Sequence, residues 1–385
     1  MDSYLDYLAA REQLITRSFW QGQQNYLDTL NRLGIYGQND PTAIDRPARP
    51  ATLPPTGSRL AGVMDVSQVT LPKANTRKFK KEAFYADLTG EVIGQTQVSE
   101  VLTNLISLHI GKSKPKRPLT ALLTGSTGTG KTLTAETVPK LLTKHTGEDW
   151  GYIRVDLNQL TKSHNVSMLL GTTAGYVGYD DPLLFEPLMK NKRQVILLDE
   201  MEKGHPDVLK VLMNAMGNGR LEAAKPIDSQ RELDFRQCIM LFTSNLPLSV
   251  ENPDDMTQAE ITRACREQLT NPGGSGPAMP PEIAARFTEI LLFRNLSDAD
   301  KVEILGLTII RSAEQYDLNV RKIHPDFLQD VVNRLSVERG AREAAYEIDA
   351  ILGEPLKAFN NDHEGVKDVA LSGTGEQVVV KPYVG

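Results

Sequence analysis

"GSTGTGKT", residues 125–132, follows the apolar run "LTALLT" (119–124) and leads into a helical pattern. It fits G-x-x-x-x-G-K-[ST] in the strand-turn-helix setting that this motif needs. The freedom of its glycines lets successive backbone N–H groups of Gly125, Ser126, Thr127, Gly128, Thr129 and Gly130 wrap a chain of phosphates. Lys131 would reach the β- and γ-phosphates and Thr132 would offer its hydroxyl to Mg²⁺, with Leu133 completing the nucleotide-contacting run. This stretch predicts an α/β fold built on a parallel sheet.

Working outward, "QVILLDE" (194–200) is an apolar run that ends in two carboxylates. Desolvating such a pair costs several kcal/mol unless the acids are paired or bind metal, so the reading is Asp199 on Mg²⁺ and Glu200 polarising an attacking water. Alone, the acids would also read as a cap on the next helix. Beside a phosphate loop they point to Mg-ATP hydrolysis, in which catalysis is largely positioning and charge stabilisation. A third apolar run, "CIMLFTSN" (238–245), ends in Asn245, suited either to orient the lytic water or to close a strand-end turn.

With "YIRVDL" (152–157) these runs alternate with amphipathic helical patterns from about residue 83, as in a parallel sheet covered by helices on both faces. Residues 83–293 are therefore expected to form the large α/β domain. After "EILLFRNLSDAD" the strands cease, and 294–360 read as a small all-α domain. The tail 361–385 reads as a β-hairpin around Gly373. At the other end, Leu5, Leu8, Ile15, Phe19, Tyr26, Leu30 and Leu33 form one stripe, which makes 1–35 an amphipathic helical extension. Residues 36–82, rich in Pro near the start, read as a linker. The stripe must be buried on this chain, on another subunit or on a partner.

Composition narrows the function classes. A chain of 385 residues with net charge −6 lacks the broad basic surface that grips nucleic acid, and the patch "KSKPKRP" (112–118) reads as a solvated loop. Cys238 and Cys265 have no metal-ligand spacing and read as packing residues in a reducing compartment. No apolar run of about 18 residues occurs, and acids stand near the N-terminus where a secretory signal would be basic, so a cytoplasmic protein without membrane spans is expected.

"VIGQ" (92–95), the phosphate loop, "GYVGYDD" (175–181), "ILLDEMEKGHPDV" (196–208), "GNGRL" (217–221), "DFRQCIMLFTSN" (234–245), "PEIAARFTEI" (281–290) and "GAR" (340–342) stand in one order. That order resembles the Clp-type AAA+ unfoldases and disaggregases, above all the second ATPase ring of the ClpA and ClpB type, over roughly residues 85–360. The resemblance implies a homo-oligomeric ring, a hexamer, with ATP and Mg²⁺ as cofactors. It implies that Val92 and Ile93 pack on adenine, that Arg286 acts as an arginine finger in the neighbouring subunit's site, and that Arg342 senses nucleotide in its own. Tyr176, with Val177 beside it, would line an axial channel and grip an extended polypeptide, for which a rigid amphipathic ring is suited.

The sequence also departs from that family. It carries one ATPase module and no [ILV]-G-[FL] tripeptide between Asn245 and Arg286, so a ClpP-type peptidase partner is not expected. Pro139 is expected to kink or end the helix after the phosphate loop. "NGRLEAAKPIDSQRELDF" (218–235) reads as an exposed hairpin or a second channel loop. The leading expectation is a threading unfoldase; the alternative is an ATP-switched assembly factor that binds a dedicated partner through residues 1–35. A nucleic-acid remodeller is disfavoured, because strand-tracking pores need basic grooves.

Overall fold

The computed structural model describes residues 79–172, 182–227, 230–246, 248, 250, 253–271, 279–334 and 341–383. The helical extension, most of the linker, Tyr176 and Val177 lie outside the described residues.

Five strands, β1 (Leu119–Thr124), β2 (Gly151–Asp156), β3 (Gln194–Asp199), β6 (Ile239–Ser244) and β7 (Glu289–Leu292), form one sheet in the order β2-β3-β6-β1-β7. Every pairing in it is parallel. The three central strands are buried at every position, which explains their unbroken apolar sequences. Successive side chains still alternate between two cores. Leu123, Leu197 and Leu241 enter one with helices α1 (Lys81–Glu91), α2 (Thr96–Ile110) and α3 (Lys131–Thr146). Leu122, Leu198 and Phe242 enter the other with α4 (Pro206–Asn218) and α5 (Gln258–Thr270).

Between α4 and β6, β4 (Arg220–Ile227) and β5 (Gln230–Asp234) pair antiparallel, a two-stranded ladder that either reading of the 218–235 segment accommodates. The α3 helix does not end at Pro139 but runs on to Thr146, held by buried Val138, Leu141 and Leu142 on either side of the missing N–H. His205 caps α4, its Nδ1 accepting from the Asp207 backbone N–H at 3.1 Å. Both cysteines are free and buried, and burial pushes their thiols well above the usual range.

A third core gathers α6 (Asp298–Glu314), α7 (Pro325–Arg334) and α8 (Ala341–Asp362). A three-stranded sheet joins these helices, an addition to the all-helical expectation for 294–360. In it β8 (Asn319–Ile323) pairs parallel with β9 (Asp368–Gly373), and β9 pairs antiparallel with β10 (Val378–Pro382) as the expected terminal hairpin. β8 is short and mostly polar, and its partner stands 49 positions away, so no local pattern marks it.

Candidate functional site

The phosphate loop leaves β1 at Gly125 and enters α3 at Lys131, at the carboxyl end of the sheet. Gly125 has φ +139°, and a Cβ there would stand 2.6 Å from the Phe293 carbonyl oxygen, so glycine is required on two counts. The Lys131 amine is buried and donates to the carbonyls of Gly125 and Ser126, both at 2.7 Å. Burial pushes it down to about 8, against the opposing charges of Glu202 and Asp199. Thr129 is buried and donates to the Ser126 carbonyl. Ser126, Thr127 and Leu133 are exposed, while Gly128, Gly130 and Thr132 are partly so. Val92 and Ile93 are buried where α1 ends, with the Val92 methyl 3.5 Å from where a Gly130 Cβ would be.

At the end of β3 both carboxylate oxygens of Asp199 are engaged. Oδ1 accepts from the Thr243 hydroxyl at 2.5 Å, and Oδ2 accepts from the Arg154 guanidinium at 2.7 Å. The same Thr243 hydroxyl accepts from the Glu200 N–H at 3.0 Å. Glu200 sits at φ 56°, ψ 57°, a left-handed conformation that costs a non-glycine residue about 1–2 kcal/mol and that clusters at functional sites. Two residues on, Glu202 Oε1 accepts from the Asn245 backbone N–H at 3.1 Å, and Asn245 is exposed.

Four residues here have a role that no local pattern marks: Gln95, Arg154, Glu202 and Thr243. Gln95 is buried; its Nε2 donates to the Thr129 and Arg294 carbonyls, and its Oε1 accepts from the Arg294 N–H. It thereby ties the phosphate loop to the segment that leads from β7 into α6. "VIGQ" was visible as a motif, but nothing local tells where its glutamine points. Glu202 was equally visible beside two other acids, with no spacing to mark it.

Arg286 lies elsewhere. Its carbonyl accepts from the Thr120 hydroxyl, and its guanidinium rests on the backbone of Gly217, where a Cβ would come within 2.8 Å of Nη1. Thr120 stands at the amino end of β1, some five residues or about 16 Å of strand from the phosphate loop. Arg286 is exposed there and does not join the loop of its own chain. The basic "KSKPKRP" segment is at the same end, where Lys114 and Lys116 line a cleft of about 590 Å³ with Arg220 and Arg236. Arg342 lies in the first turn of α8, its side chain outside the described residues.

The donor set fits a magnesium–nucleotide complex. It offers loop N–H groups at the start of a long helix, an amine that is buried and, among the described residues, bonded only to loop carbonyls, a helix-start hydroxyl and a strand-end carboxylate. The buried Thr124 Oγ1 and Glu202 Oε2 have no hydrogen-bond partner among the described residues, which leaves polar capacity open to an incoming ligand. Fold and site together define a phosphate-loop nucleotide-binding domain.

A family model described as "AAA domain (Cdc48 subfamily)" matches residues 116–290, and one described as "Torsin" matches 70–160. The chaperone protein ClpB of Bdellovibrio bacteriovorus is 30% identical over 282 residues, which covers 70% of this chain and 31% of ClpB. The Clp protease ATP-binding subunit ClpE of Lactococcus lactis is 30% identical over 305 residues, 76% of this chain and 39% of ClpE. Hsp104, solved in a closed state with ATPγS and FITC-casein, superposes with TM-score 0.60 at 27% identity, covering 78% of this chain and 51% of Hsp104. The domain described above is thus a Clp-type AAA+ ATPase domain. The chain spans about a third of the length of these curated relatives and about half of the Hsp104 chain. Among the described residues no helix is long and apolar enough to cross a membrane.

Proposed function

We propose that this chain binds and hydrolyses Mg-ATP as a homo-oligomeric ring, a hexamer, and uses the energy to remodel polypeptides. Residues 83–293 would form the ATPase domain and 294–360 the smaller domain that moves with nucleotide state. The position of Arg286 carries the ring. Arg286, beside Gly217 at the amino end of the sheet, is remote from its own Lys131, which is compatible with the role in a neighbouring subunit's site that the resemblance to Clp-type enzymes implies.

Within a site, the phosphates would rest on the N–H groups of residues 125–130, on Lys131 and on Thr132, with Leu133, Val92 and Ile93 near the base. Asp199 and Thr132 would hold the metal, which supplies neutralisation of the charge that develops on the phosphate oxygens. Glu200, fixed in its left-handed turn by the bond to Thr243, would accept the proton of the attacking water. Asn245, its backbone held by Glu202, would keep its amide free to orient that water. Arg342 would report nucleotide to α8. Tyr176 and Val177 would grip the polypeptide, as the resemblance to Clp-type channels suggests, and no peptidase partner is proposed. Hsp104 was solved with casein, which supports a polypeptide as the substrate class.

The test is complementation in trans. Arg286→Ala subunits keep an intact site, and Lys131→Ala subunits keep an intact finger. Mixing the two inactive proteins should restore part of the ATPase rate. If the mixture stays as inactive as its components, or if dilution to monomers leaves wild-type turnover unchanged, the shared site is refuted. Tyr176→Ala should then keep basal ATPase and lose unfolding of a tagged fluorescent protein.

A further inference from the structure

The carboxylate of Asp199 is held by a cation that no motif includes. Arg154 stands on β2, the edge strand, two residues before Asp156, whose partner across the ladder is Asp199 itself. From there its guanidinium reaches Asp199 Oδ2 at 2.7 Å with one nitrogen and Glu136 Oε1 at 3.1 Å with another. Glu136 belongs to α3, the helix that begins with Lys131. The three side chains thus link the phosphate-loop helix, the edge strand and the end of β3. The Asp199 side chain is 11% exposed, whereas those of Arg154 and Glu136 are 41% and 39% exposed, so the outer part of the chain of charges stands in solvent while the inner carboxylate is nearly buried.

We propose that Arg154 competes with the metal for Asp199 Oδ2, so that the Glu136–Arg154 pair sets how tightly the site takes Mg²⁺. This rests on the reading of Asp199 as a metal-holding carboxylate. The other oxygen of Asp199 is occupied by the Thr243 hydroxyl, a neutral donor that a cation does not repel. A divalent ion at Asp199 meets the positive charge of Arg154 a few ångströms away, and the repulsion weakens its binding. Glu136 reduces that repulsion by neutralising Arg154 and drawing it outward. Loss of either partner therefore moves metal affinity in a predictable and opposite direction, which a merely structural ion pair would not do.

The experiment measures binding, with turnover blocked. In the full chain carrying Glu200→Gln, a fluorescent ATP analogue is titrated with Mg²⁺ and the midpoint of metal-dependent binding is read. Arg154→Met should lower that midpoint about threefold to tenfold, because the competing charge is gone. Arg154→Lys should stay close to the parent, because the charge is kept. Glu136→Gln should raise the midpoint about twofold, because Arg154 is then left to Asp199 alone. Binding in EDTA should be equal in all four proteins. The proposal is overturned if Arg154→Met leaves the midpoint unchanged, or if Arg154→Met and Glu136→Gln shift it in the same direction. Should Arg154→Met fail to fold, the direction of the Glu136→Gln shift decides, since that side chain is exposed on α3. A parent that binds no nucleotide at any Mg²⁺ concentration would instead remove the ATP reading, and this one with it.

Discussion

Replacing Gln95 by alanine tests whether the phosphate loop is mechanically joined to the segment that follows β7. The amide makes three hydrogen bonds across sequence separations of 34 and 199 residues, at 3.2 Å to the Thr129 carbonyl and at 2.9 and 3.1 Å to the Arg294 backbone. Each is worth about 1 kcal/mol net, and water entering the vacated space returns part of the total, so the loss is about 2 kcal/mol. For a module of this size that lowers Tm by about 4–8 °C. Thr129 lies inside the loop, so the freed loop must be ordered by the nucleotide, and affinity should fall about threefold to tenfold. Differential scanning fluorimetry and binding of a fluorescent nucleotide read the two effects, with Gln95→Glu as a control that keeps the acceptor and loses the donor. A Gln95→Ala protein that melts and binds like the parent would refute the joint and any coupling of α6 to the loop through it.

The Lys131 amine, held at about 8 by burial, should make nucleotide affinity level below that pH. Above it the free protein loses a proton that the phosphates need, and affinity should decline by up to about tenfold per unit until the raised value of the bound amine is reached, as measured by binding between pH 7 and 10. Gly217→Ala should split stability from activity: alanine improves the helix by about 0.5–1 kcal/mol, yet its Cβ displaces the Arg286 guanidinium, so Tm should rise while ring-dependent ATPase falls and nucleotide binding persists. Asp234, brought down to about 2 chiefly by its hydrogen bonds from Arg236, should contribute stability that is full above pH 3.8 and lost as pH falls towards 2. Asp234→Asn should cost about 1–2 kcal/mol at pH 7, discounted because Arg236 is about a third exposed, and should flatten that acid limb in denaturant titrations.

The motifs legible in the sequence share one property: their meaning is complete within a few residues. "LTALLTGSTGTGKT" is a buried strand, a glycine turn and a helix start, and each step follows from burial, backbone freedom and the orphan N–H groups of a helix. Glu200 was legible as a carboxylate at the end of a buried strand, though its left-handed backbone was not. Pro139 does not end α3: local propensity counts the lost hydrogen bond and cannot count the buried contacts of Val138, Leu141 and Leu142 that carry the helix past it.

What the sequence alone determined is therefore the sheet, the phosphate loop and the acids at the end of β3, since strand burial and turn chemistry are encoded at short range. Only the tertiary structure decided that Arg154 and Glu136 share Asp199, that Gln95 bridges Thr129 and Arg294, that β8 pairs with β9, and that Arg286 faces away from its own nucleotide loop. Those contacts join residues tens to hundreds of positions apart, or, for Arg286, place it by strand direction. A side chain's partner there is set by how the helices and strands pack, which no local pattern of residue types records.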